Sequence, residues 1–328
     1  GMALAFVALM GAFGCADKVE ENAVTPGKRD YVLKYSFEID SSMLAEMKEG
    51  AEIFCPLAKV SYYQPAHNFQ VSTKLPWTIV IDSTYGNEIA RFSCDSAFLA
   101  DSEFFDSDTV EITFWGERFV QEPDSSYDPE PAPRFLERDS LVPIDGVIAS
   151  EAKSATSGFT SKSEKALALY LHVFESMNYD KTGEGWGRGD ALYACDVRKG
   201  NCTDIHSLFI GMARSLGIPA RFIMGFPLPP YDEPGEVSGY HCWAEFFDEE
   251  KGWVPVDISE AIKDPQKKLS FYGSLDANRM AFSVGRDIPL ERTDGKVVKV
   301  NYLIYPLLVR PDMSSRRLPV NVTSEIQD

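Results

Sequence analysis

Apolar and polar residues alternate along two stretches in the first third of the chain. In YVLKYSFEID, which begins at Tyr31, a large apolar side chain recurs at every second position, and TVEITFW, which begins at Thr109, repeats the alternation. A period of two predicts strands with one buried face. Between them, two shorter apolar runs flank a turn sequence around Gly86. Residues 27–120 are therefore predicted to form an all-β domain of the sandwich type.

The pattern changes beyond QEPDSSYDPEPAP, residues 121–133. Proline and acidic residues at this density cannot build a core, and they predict an extended linker. The later segment SKSEKALALYLHVFESM has apolar residues at helical spacing and opens with a capping box, Ser161 with Glu164. Residues 134–328 are therefore predicted to be a second domain with a different composition.

The segment KGNCTDIHSLFIGMARSLGIPAR, residues 199–221, carries one apolar stripe at helical spacing, and Gly217 suits a helix C-terminus. Cys202 is therefore predicted at the helix N-terminus. Unpaired N–H groups and the helix dipole favour a thiolate over a thiol there, and the same N–H groups can hold an oxyanion. A lone cysteine at a helix start is more often structural, so its role depends on partners elsewhere in the chain.

Two strand-like runs further along the chain supply such partners. HCWAEFF begins at His241, GWVPVD ends at Asp257, and the intervening DEEKG predicts a hairpin turn. Counting outward from that turn places His241 within about one residue of being the cross-strand neighbour of Asp257. An activated thiolate requires a base, and the base requires an orienting carboxylate, so these residues predict a triad with Cys202. The alternative is that both are merely polar strand residues.

Three motifs, GNCTDIHSLFIGMARSLGIPAR, HCWAEFF and GWVPVDISEA, together resemble the transglutaminase-like superfamily of papain-like cysteine enzymes over about residues 160–260. The resemblance implies an α+β fold, in which the N-terminal β-sandwich-like domain precedes a papain-like core with its cysteine-bearing helix packed on an antiparallel sheet. It also implies that Cys202 is the nucleophile, His241 the general base and acid, and Asp257 the residue that orients the histidine. No cofactor is implied.

The resemblance leaves the reaction open, because members of the superfamily differ in whether water or an amine resolves the thioester intermediate. The favoured prediction is a cysteine protease or amidase that hydrolyses a peptide or amide bond in the cell envelope. Its substrate would be a peptide or protein, for example a cell-wall peptide. The alternatives are a protein-glutamine transglutaminase and a non-catalytic exported protein that uses the same fold for binding or scaffolding.

The first residues predict export. MALAFVALMGAF is an unbroken run of apolar or small residues whose length suits the apolar region of a secretory signal, so residues 1–23 are predicted to be a signal segment. The small residue before Cys15 resembles a bacterial lipoprotein signal, in which that cysteine carries the lipid; an ordinary signal peptide is the alternative. The predicted location is the periplasm or the cell surface, with Cys15 as the membrane anchor.

The formal net charge of −18 disfavours nucleic acids and anionic lipid surfaces as partners, because the long-range field is repulsive. Membrane contact is therefore predicted only through the lipid anchor. His206 lies four residues after Cys202 and would suit a metal pair, but no second cluster of cysteine and histidine accompanies it, so no metal site is predicted. Arg286 and Asp287 are predicted to form a buried ion pair.

The remaining cysteines allow one disulfide in each domain of an exported protein. The sequence alone does not establish the spatial approach that a disulfide needs, so this pairing is a hypothesis. The four cysteines concerned are Cys55 and Cys94 in the first domain and Cys195 and Cys242 in the second.

Overall fold

The computed structural model describes residues 27–65, 67–94, 98, 107–128, 131–230 and 233–325. The predicted signal segment and Cys15 lie outside these residues. Among the residues described, no helix is both long and apolar enough to cross a membrane.

Helices and strands alternate irregularly along the chain. The helices are α1 Ser41–Lys48, α2 Gly146–Ala155, α3 Lys162–Ser176, α4 Ala191–Val197, α5 Cys202–Ser215 and α6 Ile258–Lys263, with 3₁₀ turns at Pro133–Leu136 and Pro265–Lys267. The strands of the first part are β1 Lys28–Ile39, β2 Glu52–Pro56, β3 His67–Ser72, β4 Trp77–Ile81, β5 Glu88–Phe92 and β6 Asp108–Phe119. The later strands are β7 Asn178–Tyr179, β8 Lys199–Gly200, β9 Ala220–Pro227, β10 Gly235–Glu236, β11 His241–Asp248, β12 Gly252–Val256, β13 Arg279–Val284, β14 Ile288–Glu291, β15 Val297–Val300, β16 Leu307–Val309, β17 Ser315–Arg317 and β18 Asn321–Glu325.

Two five-stranded antiparallel sheets form the N-terminal region, in the orders β10-β18-β1-β6-β3 and β17-β16-β2-β5-β4. Every second residue of β1 from Tyr31 to Ile39 is at most 2% exposed, which confirms the predicted alternation. The rings of Phe37 in β1 and Phe92 in β5 lie 5.9 Å apart, so the two sheets share a core.

The last strands of the chain complete these N-terminal sheets. β18 pairs with β1, and β16 pairs with β2, so residues 307–325 belong to the β region. The predicted division into residues 27–120 and 134–328 therefore needs correction at its C-terminal end. An alternating pattern shows which face of a strand is buried, but it does not identify the strand that pairs with its edge.

The segment predicted to be a linker packs against the second region. Gln121 forms an isolated bridge with Leu275. Asp128 accepts hydrogen bonds from Nη1 of Arg221 at 2.8 Å and from Nε1 of Trp253 at 3.0 Å. The segment is thus bound to the surface, because its acidic and amide groups find partners on the sheet beneath it.

The second region is built around α5 and a four-stranded antiparallel sheet, β12-β11-β9-β13. All residues of α5 from Cys202 to Arg214 are buried, because α2, α3 and α4 pack on the helix together with the sheet. The apolar stripe in the sequence predicts one buried face, whereas in the structure the helix is buried on all sides. Gly217 follows it with a φ of 73°, as predicted for a helix C-terminus.

Candidate active site

The start of α5 is fixed by its own sequence. Asn201 is the N-cap, and its side chain accepts a hydrogen bond from the Thr203 N–H at 3.0 Å. The carboxylate of Asp204 accepts in return from the Asn201 N–H at 3.1 Å, which completes a capping box. Cys202 is therefore the first helical residue, and it is only 2% exposed.

Asp204 does more than complete the capping box. Its two carboxylate oxygens also accept hydrogen bonds from the N–H groups of Gly187 at 2.6 Å and Gly189 at 2.8 Å. Both glycines have a positive φ that side chains disfavour. The glycine-rich loop before the helix is thereby held against the helical turn that carries Cys202.

His241 is the first residue of β11, and Asp257 follows the last residue of β12. The His241 ring donates from Nε2 to Oδ2 of Asp257 at 2.7 Å. The strand register sets Ala244 opposite Val256, so His241 stands two residues away from the cross-strand position of Asp257 instead of one. The offset arises because Asp257 leaves the strand and becomes the N-cap of α6.

The thiol of Cys202 and the ring of His241 are close enough for each to shift the pKa of the other. A hydrogen bond from the Cys242 thiol, together with the hydrogen bond and charge of His241, outweighs burial and holds the pKa of Cys202 well below its usual value. Burial would lower the pKa of His241, but the charge and hydrogen bond of Asp257, with those of Cys202, raise it to about 9. The arrangement therefore favours a thiolate–imidazolium pair at neutral pH.

Arg279, at the start of β13, is a member of this site that the sequence analysis missed. Its Nη1 donates to Oδ2 of Asp257 at 2.6 Å, and its guanidinium lies 5.4 Å from the ring centroid of Trp243. Burial would raise the pKa of Asp257, but the charges of His241 and Arg279 and the hydrogen bond from the ring hold it well below its usual value. Arg279 and Asp257 come from elements that approach only in the fold, so no local motif marks the pair.

Asp257 has two further partners from α6. Its Oδ1 accepts hydrogen bonds from the Ser259 hydroxyl at 2.8 Å and from the Glu260 N–H at 3.0 Å. Together with His241 and Arg279, these partners use both oxygens of the carboxylate. The orientation of Asp257, and through it that of the His241 ring, is therefore fixed.

His206 lies inside α5, one turn after Cys202, and is fully buried. Its Nδ1 is 2.8 Å from the carbonyl oxygen of Cys202, and the Ile258 N–H donates to its Nε2 at 3.0 Å. Sγ of Cys242 is 3.9 Å from the same Nδ1. His206 thus contacts backbone groups on two sides, and Cys242 lies beside it; no motif in the sequence indicates either arrangement.

The predicted disulfides are wrong. Cys55, Cys195 and Cys242 are free thiols in the structure, so neither predicted pair is formed. Cys242 faces α5 and Cys202, whereas the Sγ of Cys195 lies 3.0 Å from a carboxylate oxygen of Glu151. The two cysteines of the second domain thus have different neighbours on different sides of the core.

The predicted ion pair between Arg286 and Asp287 is also wrong. Arg286 is buried, but it donates to the Ser207 hydroxyl at 2.6 Å, to the carbonyl oxygen of Gly189 at 2.9 Å and to Asn301. Oδ2 of Asp287 instead accepts from the Ser140 N–H at 2.6 Å. Adjacent residues point in different directions here, and Arg286 braces the glycine-rich loop before α5.

A cleft of about 310 Å³ opens beside His241. Its walls carry aromatic, basic and acidic side chains, among them Tyr179, Lys181, Tyr240, Glu260, Lys263 and Phe271. Ligand atoms of His241, Asp257 and Glu260 lie within 4.8 Å of one another. Because Arg279 already neutralises Asp257 and His241 carries a positive charge, this group is poorly suited to a metal ion.

The sequence of residues 150–258 matches the transglutaminase-like superfamily. This stretch contains α5, the hairpin of β11 and β12, and all three residues of the predicted triad. The match to this superfamily covers residues 150–258, and it confirms the resemblance predicted from the three motifs.

A solved structure shares the fold over nearly the whole chain. The crystal structure of a candidate cysteine protease from Cytophaga hutchinsonii has a TM-score of 0.55 at 14% identity, and the match covers 92% of this chain and 93% of that one. At this identity the likeness concerns the fold alone. It supports the predicted α+β class, with a β-rich N-terminal region before the papain-like core.

Two relatives match by sequence. An uncharacterised protein of Haemophilus influenzae is 28% identical over 204 residues, which are 52% of this chain and 55% of the relative. The uncharacterised protein YebA of Bacillus subtilis is 29% identical over 84 residues, which are 23% of this chain and 11% of the relative. The matches thus span about half of the first relative and about a tenth of the second.

Proposed function

We propose that this protein is a cysteine-dependent acyl-transfer enzyme that hydrolyses a peptide or amide bond through a thioester on Cys202. The observation that carries the proposal is the buried chain of contacts from the Cys202 thiol through His241 to Asp257. A buried thiol without such partners stays protonated, whereas this one is stabilised as the thiolate. Covalent acyl transfer requires a nucleophile, a base beside it and a group that orients the base.

The reaction follows from this geometry. The Cys202 thiolate attacks the carbonyl carbon of the scissile bond, and the oxyanion develops beside the backbone N–H of Cys202, because the capping box engages the N–H groups of Asn201 and Thr203. The His241 imidazolium gives its proton to the leaving amine, and a thioester remains on Cys202. Water then attacks the thioester while His241 takes a proton from it, and the carboxylic acid product leaves as the thiolate is restored.

The cleft beside His241 supports a peptide as the substrate. Its lining combines aromatic, basic and acidic side chains, so an extended segment with mixed side chains suits it. The proposed setting in the cell envelope rests on the signal-like residues 1–23. In the proposed reaction water resolves the thioester, so amide hydrolysis is the expected outcome and transfer to an amine is the competing one.

The decisive experiment is the pH dependence of Cys202 alkylation by iodoacetamide, measured by mass spectrometry in the wild type and in His241→Ala. We expect fast labelling near pH 6 in the wild type. At that pH, labelling of the variant should fall by about 10²-fold, because its thiol returns toward an ordinary pKa of about 8.5. His172→Ala is the matched control and should label like the wild type.

Wild-type labelling that rises only near pH 8.5 would sink the proposal. If fast labelling is found, peptide amides are then incubated with the enzyme with and without an added primary amine. Release of the free acid as the main product supports hydrolysis, whereas an amine adduct in its place would make the protein a transamidase.

A further inference from the structure

His206 is a fully buried titratable residue that the proposed reaction does not use. Its ring contacts the nucleophile's own residue on one side, since Nδ1 lies 2.8 Å from the carbonyl oxygen of Cys202. On the other side Nε2 lies 3.0 Å from the backbone nitrogen of Ile258, the residue after Asp257. One ring thus joins the backbone at the nucleophile to the backbone at the orienting carboxylate.

The two partners determine the form of the ring. A carbonyl oxygen only accepts a hydrogen bond and an amide N–H only donates one, so the proton of His206 is on Nδ1 and the lone pair is on Nε2. Burial lowers the pKa of His206 and keeps the ring neutral, which preserves both hydrogen bonds. Because both nitrogens are engaged, the ring has no lone pair left for a metal ion.

The elements joined by this ring carry the reacting groups. Cys202 begins α5, whereas Asp257 caps α6, and the two segments are separated in the sequence by the sheet strands β9, β11 and β12. His241 must reach from the Asp257 carboxylate to the Cys202 thiol, so its two hydrogen bonds depend on the separation of those elements. A rigid five-membered ring with one bond to each side sets that separation.

We propose that His206 is a positioning residue, which bridges the carbonyl of Cys202 and the N–H of Ile258 and thereby fixes the gap that His241 spans. The inference rests on the proposed function and deepens it. Misplacement of reacting groups by about 1 Å can cost about 10²-fold in rate, so loss of either side of the bridge should be measurable.

Two conservative variants break the bridge on opposite sides. In His206→Asn the amide nitrogen takes the place of Nδ1 and still donates to Cys202, but the acceptor for Ile258 is lost. In His206→Gln the amide oxygen reaches the place of Nε2 and still accepts from Ile258, but the donor to Cys202 is lost. His172→Asn and His172→Gln are matched controls at another histidine, which is bonded to Glu151.

The readout is the pH profile of Cys202 alkylation by iodoacetamide, with thermal unfolding recorded for each variant. At pH 6, Cys202 of both His206 variants is expected to be alkylated at least tenfold more slowly than in the wild type. The pH at which alkylation becomes fast should also be higher than in the wild type. The His172 variants should keep the wild-type profile. A residue that served only the stability of the helix would change the unfolding temperature without moving the pH profile.

Other outcomes overturn the inference while leaving the proposed function intact. If both variants label within twofold of the wild type, His206 does not position the site. If only one of them slows, a single hydrogen bond matters and the bridge is refuted. Slow labelling of the wild type itself at pH 6 would instead reject the proposed function.

A measurement on the wild type covers the case in which both variants fail to fold. Nitrogen-15 NMR of the His206 ring is expected to show a proton on Nδ1 and a bare Nε2 at neutral pH, with a pKa below the ordinary value. A proton on Nε2, or a ring that titrates near its ordinary pKa of about 6.5, would refute the bridge.

Discussion

Two regions of the molecule bring together the same four kinds of side chain, a cysteine, a histidine, a carboxylate and an arginine, with opposite effects on the cysteine. The first is the candidate active site, with Cys202, His241, Asp257 and Arg279. The second lies between α2, α3 and α4 and contains Glu151, His172, Cys195 and Arg198. We call it the helical cluster.

In the helical cluster the carboxylate is at the centre. Nε2 of His172 and Nη1 of Arg198 each lie 2.6 Å from Oε1 of Glu151, and the Cys195 thiol donates to Oε2 at 3.0 Å. Burial, together with the hydrogen bond and charge of Glu151, raises the pKa of Cys195 to about 11. This thiol therefore stays protonated at neutral pH.

The order of contacts explains the difference. In the active site the histidine stands between the thiol and the carboxylate, so the thiol faces a positive charge. In the helical cluster the thiol faces the carboxylate directly, and the same residue types suppress ionisation. The set of residues thus does not decide the chemistry of a cysteine; the neighbour of its sulfur does.

The largest expected effect on this contrast comes from Asp257→Asn. The amide keeps one acceptor oxygen, so it can cap α6 or accept from His241 but not both, and the negative charge that raises the histidine pKa is gone. The pKa of His241 should fall from about 9 toward its ordinary value, and Cys202 labelling at pH 6 should drop by about 10²-fold. NMR titration of the ring and iodoacetamide kinetics measure the two effects.

Glu151→Gln is the matched control, since it removes the carboxylate of the other cluster and should leave Cys202 labelling unchanged. Asp257→Asn should also destabilise the fold by about 3 kcal/mol, because the buried Arg279 loses one of its two carboxylate partners. A His241 pKa that stays near 9 in Asp257→Asn would show that the carboxylate does not sustain the imidazolium.

A smaller effect is expected from Cys242→Ala. The neutral thiol of Cys242 lies beside Cys202 and helps to stabilise its thiolate. Its loss should raise the pKa of Cys202, and with it the pH at which alkylation becomes fast, by about one unit. Below that pH the alkylation rate should then fall by about tenfold. Cys195→Ala, in the helical cluster, is the control. An unchanged pH dependence of alkylation in Cys242→Ala would mean that His241 alone stabilises the thiolate.

The features that could be predicted from the sequence are local ones. Asn201 and Asp204 determine where α5 begins, and one short turn forms the hairpin that brings His241 near Asp257. Both are decided within a few residues, so periodicity and turn signals are sufficient to predict them. The grouping of the predicted triad follows from these two elements.

The features that could not be predicted depend on segments that meet only in the fold. Arg279 reaches Asp257 from another strand, His206 reaches Ile258 from another helix, and β18 pairs with β1 from the opposite end of the chain. None of these contacts leaves a period or a motif in the sequence. The disulfide hypothesis failed for the same reason, because cysteine number does not report which thiols approach one another.

The smallest effect in this comparison is expected from Glu151→Gln within its own cluster. Burial would raise the pKa of Glu151, but hydrogen bonds from Arg198, Cys195 and His172 lower it to about 2. Since this pKa lies below that of the unfolded chain, the carboxylate stabilises the fold above about pH 4.5, and the contribution is lost as the pH falls toward 2. The free energy of unfolding of the variant should be lower by roughly 1 kcal/mol at pH 7, and urea unfolding should show this difference shrinking toward pH 2.

Cys195 of the same variant should also be alkylated faster at pH 9, because its thiol now faces Arg198 without the carboxylate. Unchanged alkylation of Cys195 would mean that burial alone keeps this cysteine protonated.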